Sequence, residues 1–317
     1  MDMTGFTGMV DGWEERVRGM LGGSAVPGLA EGRMRVLGAG MDSVALLVEG
    51  GGGEFVVRLP KGRDGAEGVA REARVLPELG ERVSLPIPRF AFLAGNPLGP
   101  GECCVYAAVP GESLGADEWR ERGMLADDAV AGAVGRFIDE VQGFPVGRAM
   151  ELGVPVRDMR GEFAEDLESV RAQVVPLLSE RVGRALVERW EGYLAEAGNF
   201  GYTPTVMHGD VSLDHLLVTG NRVSGVIDFG DLQIGDPDFD LCYLFMGAGA
   251  EFVGRVQDRR GRAFDERLRR KLVFWACADS AIDALHGIEH GMVEFTEWSV
   301  RRIGVALQEF GGQAGVL

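Results

Sequence analysis

The segment 206-VMHGDVSLDHLLVTGNRVSGVIDFGD-231 concentrates side chains able to do chemistry. It holds His208 and His215, two of the four histidines, with Asp210, Asp214, Asp228 and Asp231. Two chemistries use such residues. His208, Asp210, His215 and Asp228 could be four ligands of one metal ion. They could equally divide the labour, one carboxylate taking a proton from a hydroxyl while another holds a divalent cation on phosphate oxygens. Asp210 follows Gly209, where backbone can approach a ligand closely, and is expected at a strand end. Asp228 follows two β-branched residues and is expected to end a hairpin strand, a rigid presentation that suits a metal ligand.

The elements around these residues can be read from periodicity. Met9, Trp13, Val17, Met20 and Leu21 have helical spacing over 9–21. The stretch 33-RMRVLGAGMDSVALLVE-49 reads as strand, glycine turn, strand; EGGGGE at 49–54 as a hairpin tip; and 55-FVVRLP-60 as the returning strand. A short helix follows at 66–79, Pro86 and Pro88 end that region, and another strand is expected at 103–109. Beyond it the pattern turns helical. Val130, Ala133, Val134, Phe137, Ile138 and Val141 share one face, as do Phe163, Leu167, Val170 and Val174, then Val182, Leu186, Trp190 and Leu194, with Pro176 separating the last two runs. Strand pieces at 216–218 and 223–229 flank a Gly-Asn turn and read as a hairpin, and helical patterns resume from Asp238 to Phe310. The outline is a small strand-rich lobe followed by a larger helical one, joining near residue 109.

Composition limits the classes of function. With 49 acidic and 32 basic residues the formal charge is −17, a field that repels nucleic acid and anionic membranes and attracts polycations. Cys103, Cys104, Cys242 and Cys277 form no C-x-x-C pair or spaced framework, against zinc-ribbon and disulfide-scaffold readings. No apolar run reaches the roughly 18 residues of a membrane span, and MDMTGFTGMVDGWEERV has no basic region followed by an apolar one. A reducing, cytoplasmic setting is expected, with no nucleic-acid or membrane partner.

The pattern H-G-D-x4-H, followed thirteen residues later by I-D-F-G-D, resembles the aminoglycoside phosphotransferase family. The resemblance implies an α+β, bilobal protein-kinase-like fold, with a nucleotide-binding lobe at 1–108 and a catalytic and acceptor-binding lobe at 109–317. It implies that Asp210 is the catalytic base and Asp228 the principal Mg²⁺ ligand. His215 falls where asparagine is usual and joins the metal site; histidine there resembles the branch of 2''-phosphotransferases and macrolide phosphotransferases. His208 and Asp240 match residues that support the catalytic loop. L-G-A-G-M-D-S at 37–43 resembles the loop over the nucleotide phosphates, with Gly38, Gly40 and Ser43 as contacts. In V-V-R-L-P-K, Arg58 takes the place of the phosphate-binding lysine, and Glu72 in R-E-A-R-V-L is its expected ion-pair partner. V-Y-A-A-V-P-G-E matches the segment whose backbone binds the purine, which assigns Tyr106 and Ala108 to nucleotide binding. Gln142 replaces a frequent histidine, with no catalytic consequence anticipated.

The implied reaction moves the γ-phosphoryl group of ATP or GTP, with Mg²⁺, to a hydroxyl of a small, cationic acceptor, most simply an aminoglycoside. Asp231, Asp279, Asp283 and Glu289 are candidate acidic contacts to that acceptor. Rival readings are a kinase for a macrolide, sugar, choline or homoserine, a metal-dependent hydrolase, and a non-catalytic nucleotide-binding module. The ordered glycine turn, Arg58 and Glu72 count against the hydrolase, and the pair Asp210 and Asp228 against the non-catalytic module.

Overall fold

A computed structural model describes residues 12–24 and 26–309. Met9 and Phe310, which the helical patterns above include, lie outside these residues, as does the chain before residue 12. In chain order the first elements are α1 (Trp13–Gly22), β1 (Arg33–Ala39), β2 (Ser43–Gly50), β3 (Gly53–Pro60), α2 (Arg63–Leu79), β4 (Phe90–Gly95) and β5 (Glu102–Ala107). Then come α3 (Ala116–Glu121), α4 (Asp128–Gln142), α5 (Val146–Glu151), α6 (Met159–Ser169), α7 (Glu180–Ala195), β6 (Thr205–Met207), β7 (Leu216–Thr219), β8 (Arg222–Val226) and β9 (Gln233–Gly235). The last are α8 (Cys242–Arg259), α9 (Glu266–Glu289) and α10 (Val293–Glu309).

The chain forms two compact units. Unit 1 comprises the described residues to Leu114, with Gly147–Val154 and Asp214–Leu232; unit 2 comprises Gly115–Val146, Pro155–Leu213 and the described residues from Gln233. Unit 1 is built on an antiparallel sheet of order β1-β2-β3-β5-β4. Strand alternation gives the sheet two apolar faces. Val44, Leu46, Val48, Val57, Leu59, Cys103 and Val105 pack with Val17 and Leu21 of α1. Leu47, Val56, Cys104 and Tyr106 pack with Val69 of α2. The hairpin β7–β8 is bound to the chain around β5. Val226 N–H donates to Pro86 O (2.9 Å), Ser224 Oγ to Pro110 O (2.7 Å), and Glu112 and Val218 exchange backbone bonds.

Unit 2 is mainly helical. Asp127 caps α4 by accepting from Ala129 N (2.7 Å), and Asp265 caps α9 by accepting from Leu268 N (2.8 Å). An aromatic cluster of Phe163, Trp190, Tyr193 and Phe274 joins α6, α7 and α9, with Trp190 Nε1 donating to Phe163 O at 2.7 Å. β6 pairs with β9 in register Val206 to Ile234, and this short ladder leads into His208 and Asp210.

Three local expectations change. β4 follows Pro86 and Pro88 directly, and β6 and β9 are too short to show alternation. The second hairpin strand stops at Val226, so Asp228 is not at a strand end; its φ of 64° is left-handed and cannot continue a ladder. Asp210 lies three residues beyond β6, after Gly209 at φ 89°.

Candidate active site

In unit 1 the chemistry begins with two charges placed where apolar residues belong. On α2 the buried stripe runs Val69, Glu72, Leu76, Leu79, so Glu72 faces the sheet. On β3, Arg58 shares the face of Val56, which is the face that α2 covers. Arg58 is 8% exposed and Glu72 1%. Buried charges need partners, and these two form an ion pair through Arg58 Nη2 and Glu72 Oε1. Burial, the largest single influence, works against the Arg58 charge. Glu72, with Cys104, Asp228 and Tyr106, together outweighs it and raises the guanidinium above its ordinary value.

The same guanidinium reaches the end of the hairpin. Arg58 Nη1 lies 3.5 Å from Asp228 Oδ1, and His215 Nε2 lies 3.7 Å from Asp228 Oδ2. The Asp228 side chain is 49% exposed, so a cation can approach it from solvent. Among the described residues Asp228 is the one non-glycine with positive φ, a conformation that persists only where surrounding structure holds it. Phe229 is buried, Ile227 N–H donates to His215 O (3.0 Å), and Arg71 Nη2 donates to Gly230 O. Arg71, one residue from Glu72, had no signal in the sequence beyond its charge. Asp231 lies near this group, and its carboxyl is raised above its ordinary value by desolvation first, then by the charges of Asp228 and Asp42, against the pull of Arg71 and His215.

The glycine turn sits between β1 and β2. Gly40 N–H donates to Ser43 O (2.9 Å), and Lys61 Nζ donates to Gly40 O (2.7 Å). Neither Gly38 nor Gly40 has positive φ; a Cβ at Gly38 would meet nothing within 4 Å, and at Gly40 only Ser43 O at 3.8 Å. Tyr106 is buried against Phe90, ring centroids 5.8 Å apart, and burial raises its hydroxyl pKa. The Ala108 N–H does not face outward: it donates to Glu54 O on β3 at 2.9 Å. In this ladder Ala107 pairs with Phe55 without bonding it, so the backbone groups of Ala107 and, by alternation, Val109 turn away from β3.

In unit 2, His208 is fully buried with its ring edge-on to Phe137, and its Nδ1 accepts from Asp210 N–H at 3.3 Å. Gly209 N–H donates to Asp240 Oδ1 at 3.0 Å, and Gln142 Nε2 donates to Asp240 Oδ2 at 3.1 Å. Burial pushes the Asp240 carboxyl up to about 6, while those two donors and Arg260 pull the other way. Asp279 and Asp283, four apart on α9, face α10 and do not stand open. Arg302 Nη1 lies 3.5 Å from Asp283 Oδ2, Arg302 Nη2 lies 3.9 Å from Asp279 Oδ2, and Tyr243 Oη donates to Asp279 Oδ1 at 3.1 Å. Glu289 is exposed at the end of α9.

Among the described residues no three His, Cys, Asp or Glu side chains are placed to hold one metal ion. Mg²⁺ asks less: one or two carboxylate oxygens, with waters and substrate phosphates completing its shell. Asp228, exposed and beside a cationic phosphate-binding candidate, fits that requirement. Among the described residues no helix is long and apolar enough to cross a membrane.

Comparison with known proteins agrees with this arrangement. A family model described as phosphotransferase enzyme family matches residues 33–275. Viomycin phosphotransferase of Streptomyces vinaceus is 36% identical over 99 residues, 30% of this chain; the match spans about a third, 33%, of that relative. The structure of a mutant aminoglycoside 2'-phosphotransferase-IIIa with GDP superposes at TM-score 0.85 and 28% identity, covering 95% of this chain and 99% of that one. The GDP and kanamycin complex of the IIIa aminoglycoside 2''-phosphotransferase gives 0.83 and 28%, over 94% and 98%. A macrolide 2'-phosphotransferase from Brachybacterium faecium shares the fold at 20% identity and TM-score 0.70, over 90% and 96%.

Proposed function

Because the chain belongs to the phosphotransferase enzyme family, we propose that it transfers the γ-phosphoryl group of ATP or GTP to a hydroxyl of an aminoglycoside. The observation that carries the reading is the buried Arg58–Glu72 pair reaching an exposed Asp228 held in a left-handed conformation. An ion pair buried only for stability would end at Glu72. This one leaves a second guanidinium nitrogen near an exposed carboxylate, an arrangement suited to phosphate and its counter-ion.

In this reading the nucleotide phosphates lie along the glycine turn, near Gly38, Gly40 and Ser43, and Arg58 binds their oxygens. The purine edge meets the backbone of Ala107 and Val109 beside Tyr106, and Ala108 contributes through its position in the strand. Asp228 holds Mg²⁺, with His215 facing the same carboxylate. Mg²⁺, when bound, supplies positive charge across the phosphate oxygens as they take on charge in transfer. Asp210 orients the acceptor hydroxyl and takes its proton as the oxygen bonds to the γ-phosphorus. The bond to the bridging oxygen then breaks and the nucleoside diphosphate leaves. Orientation and fixed charge provide most of the acceleration. His208 and Asp240 keep the Gly209–Asp210 turn in place. Residues 1–108 would serve the nucleotide and 109–317 the base and acceptor, with Asp228 and His215 contributed to the nucleotide side from the later segment. The formal charge of −17 favours a cationic acceptor, which Asp231, Asp279, Asp283 and Glu289 would contact. For Asp279 and Asp283 this requires Arg302 to yield.

The test is phosphoryl transfer from ATP and from GTP, with Mg²⁺, to a panel of aminoglycosides, with viomycin and a macrolide as comparison acceptors. Transfer to an aminoglycoside, lost in Asp210→Ala, is the expected result. Undiminished transfer by Asp210→Ala would remove the base assignment, and transfer to the macrolide alone would replace the acceptor class.

A further inference from the structure

Asp240 ends a buried chain of polar contacts that begins well away from the catalytic turn. At its far end, on the helix-capping residue after α8, Arg260 Nε donates to Asp139 Oδ1 (3.0 Å) and Nη1 to Gln257 Oε1 (2.9 Å). Its third nitrogen, Nη2, donates to Gln142 Oε1 at 2.7 Å. Gln142 in turn donates through Nε2 to Asp240 Oδ2 (3.1 Å) and Pro237 O (2.7 Å). Asp240 Oδ1 accepts from Gly209 N–H (3.0 Å), and the next residue is Asp210. The side chain of Arg260 is 1% exposed, and Gln142 and Asp240 are 8% and 1% exposed.

Two features separate this chain from ordinary buried polarity. The Gln142 amide has one usable orientation, because reversing it would set its NH₂ against the Arg260 donors and its oxygen against two acceptors. Reorienting either neighbour therefore disturbs the other. The bond to the turn is made at Gly209, whose φ of 89° only glycine adopts without strain, so that peptide has little intrinsic preference to hold it. Its orientation must come from outside, and the Asp240 carboxylate supplies it. The Asp240 carboxyl sits in a low-dielectric interior, where removal of a donor costs far more than at the surface.

We infer that Gln142 and Arg260 are positioning residues for the proposed base, fixing the Gly209–Asp210 turn through Asp240. The inference rests on the proposed reaction only in the role of Asp210. Gln142 donates with one atom and accepts with another. An imidazole can do the same with its two nitrogens, which makes Gln142→His the conservative variant and Gln142→Leu the disruptive one.

The test uses the full chain and two independent readouts. Amide hydrogen exchange across 206–212, without substrate, reports the turn itself; kcat and nucleotide KM report the reaction. In Gln142→Leu, exchange at Gly209 should quicken at least about tenfold, and kcat should fall about tenfold to a hundredfold with nucleotide KM within about twofold. Gln142→His should recover most of both. If Gln142→Leu fails to fold, Arg260→Gln carries the same expectations. Wild-type exchange at Gly209, an unchanged kcat, or a histidine variant no better than leucine overturns the inference. If the wild-type protein transfers phosphate to no acceptor, the proposed reaction falls, and the exchange readout still decides whether Gln142 holds the turn.

Discussion

Asp228 in unit 1 and Asp210 in unit 2 are both carboxylates on short loops after a strand, yet they are held by opposite means. Asp228 is half exposed, on strained backbone, between the charged or chargeable groups of Arg58 and His215. Asp210 follows a glycine in a turn whose backbone N–H groups bond to His208 and to Asp240. One aspartate is placed by charges, the other by hydrogen bonds to the main chain around it. The difference suits the two proposed tasks. A metal ligand must keep its charge and stay open to a cation and phosphates. A base must keep its orientation while its proton comes and goes, and a framework of main-chain bonds does not change with that proton.

The contrast can be broken most sharply at Asp210. Asp210→Ala should lower kcat by about 10³, while Mg²⁺-nucleotide still raises the melting temperature. A variant that loses the nucleotide shift as well would show that the two loops are not separable. The next effect is at Asp228. Asp228→Gly should reduce transfer about a hundredfold and yet stabilise the protein by roughly 0.5–1 kcal/mol, since glycine takes φ 64° without strain. Urea unfolding beside a transfer assay measures both, and a loss of stability would deny that Asp228 is strained.

The buried pair gives the third expectation. Glu72→Leu alone should destabilise by about 3–5 kcal/mol, because it strands the Arg58 charge, whereas the double variant Arg58→Met/Glu72→Leu should be much milder. A double-mutant cycle in urea decides this; additive losses would mean that the pair is not coupled. The smallest effect is a pH dependence at Asp283. Burial first, then the Asp279 charge, push its carboxyl up to about 7 against the pull of Arg302. A carboxyl raised in the fold stabilises fully below its ordinary value and loses that contribution as pH rises through about 7. The melting temperature should therefore fall between pH 5 and 8 by about 2 °C more in wild type than in Asp283→Asn. Parallel curves would leave Asp283 without this role.

The two regions were not equally legible in the sequence. In unit 1 the sheet hairpins were readable because short runs rich in Val, Leu and Phe are bounded by glycine turns, whereas Glu72 was placed only by the resemblance of R-E-A-R-V-L to a helix that supplies an ion-pair partner. β4 and β9 were not readable, and the strand expected to end at Asp210 stops at Met207, since three to six residues beside prolines or glycines carry little periodicity. The left-handed backbone of Asp228 is invisible to a pattern that continues through V-I-D-F. In unit 2, Asp240 had a sequence-based role but Gln142 and Arg260 did not. All their partners but Gln257 lie 95 to 121 residues away, and a buried glutamine or arginine looks like any surface one until the helices pack. Arg302 escaped notice for the same reason, though it occupies the acids α9 offers.

Gly38, near the end of β1 beside the glycine turn, would drift differently under different selections. Nothing around Gly38 excludes a methyl group, and its backbone does not need the left-handed region, so glycine there lowers stability by about 0.4–1 kcal/mol without a structural return. A library selected for folding alone should replace Gly38 readily with alanine or larger residues. One selected for nucleotide-dependent activity should keep glycine. The ratio of the two frequencies would show how far glycine at 38 is retained for what binds beside it rather than for the strand it occupies.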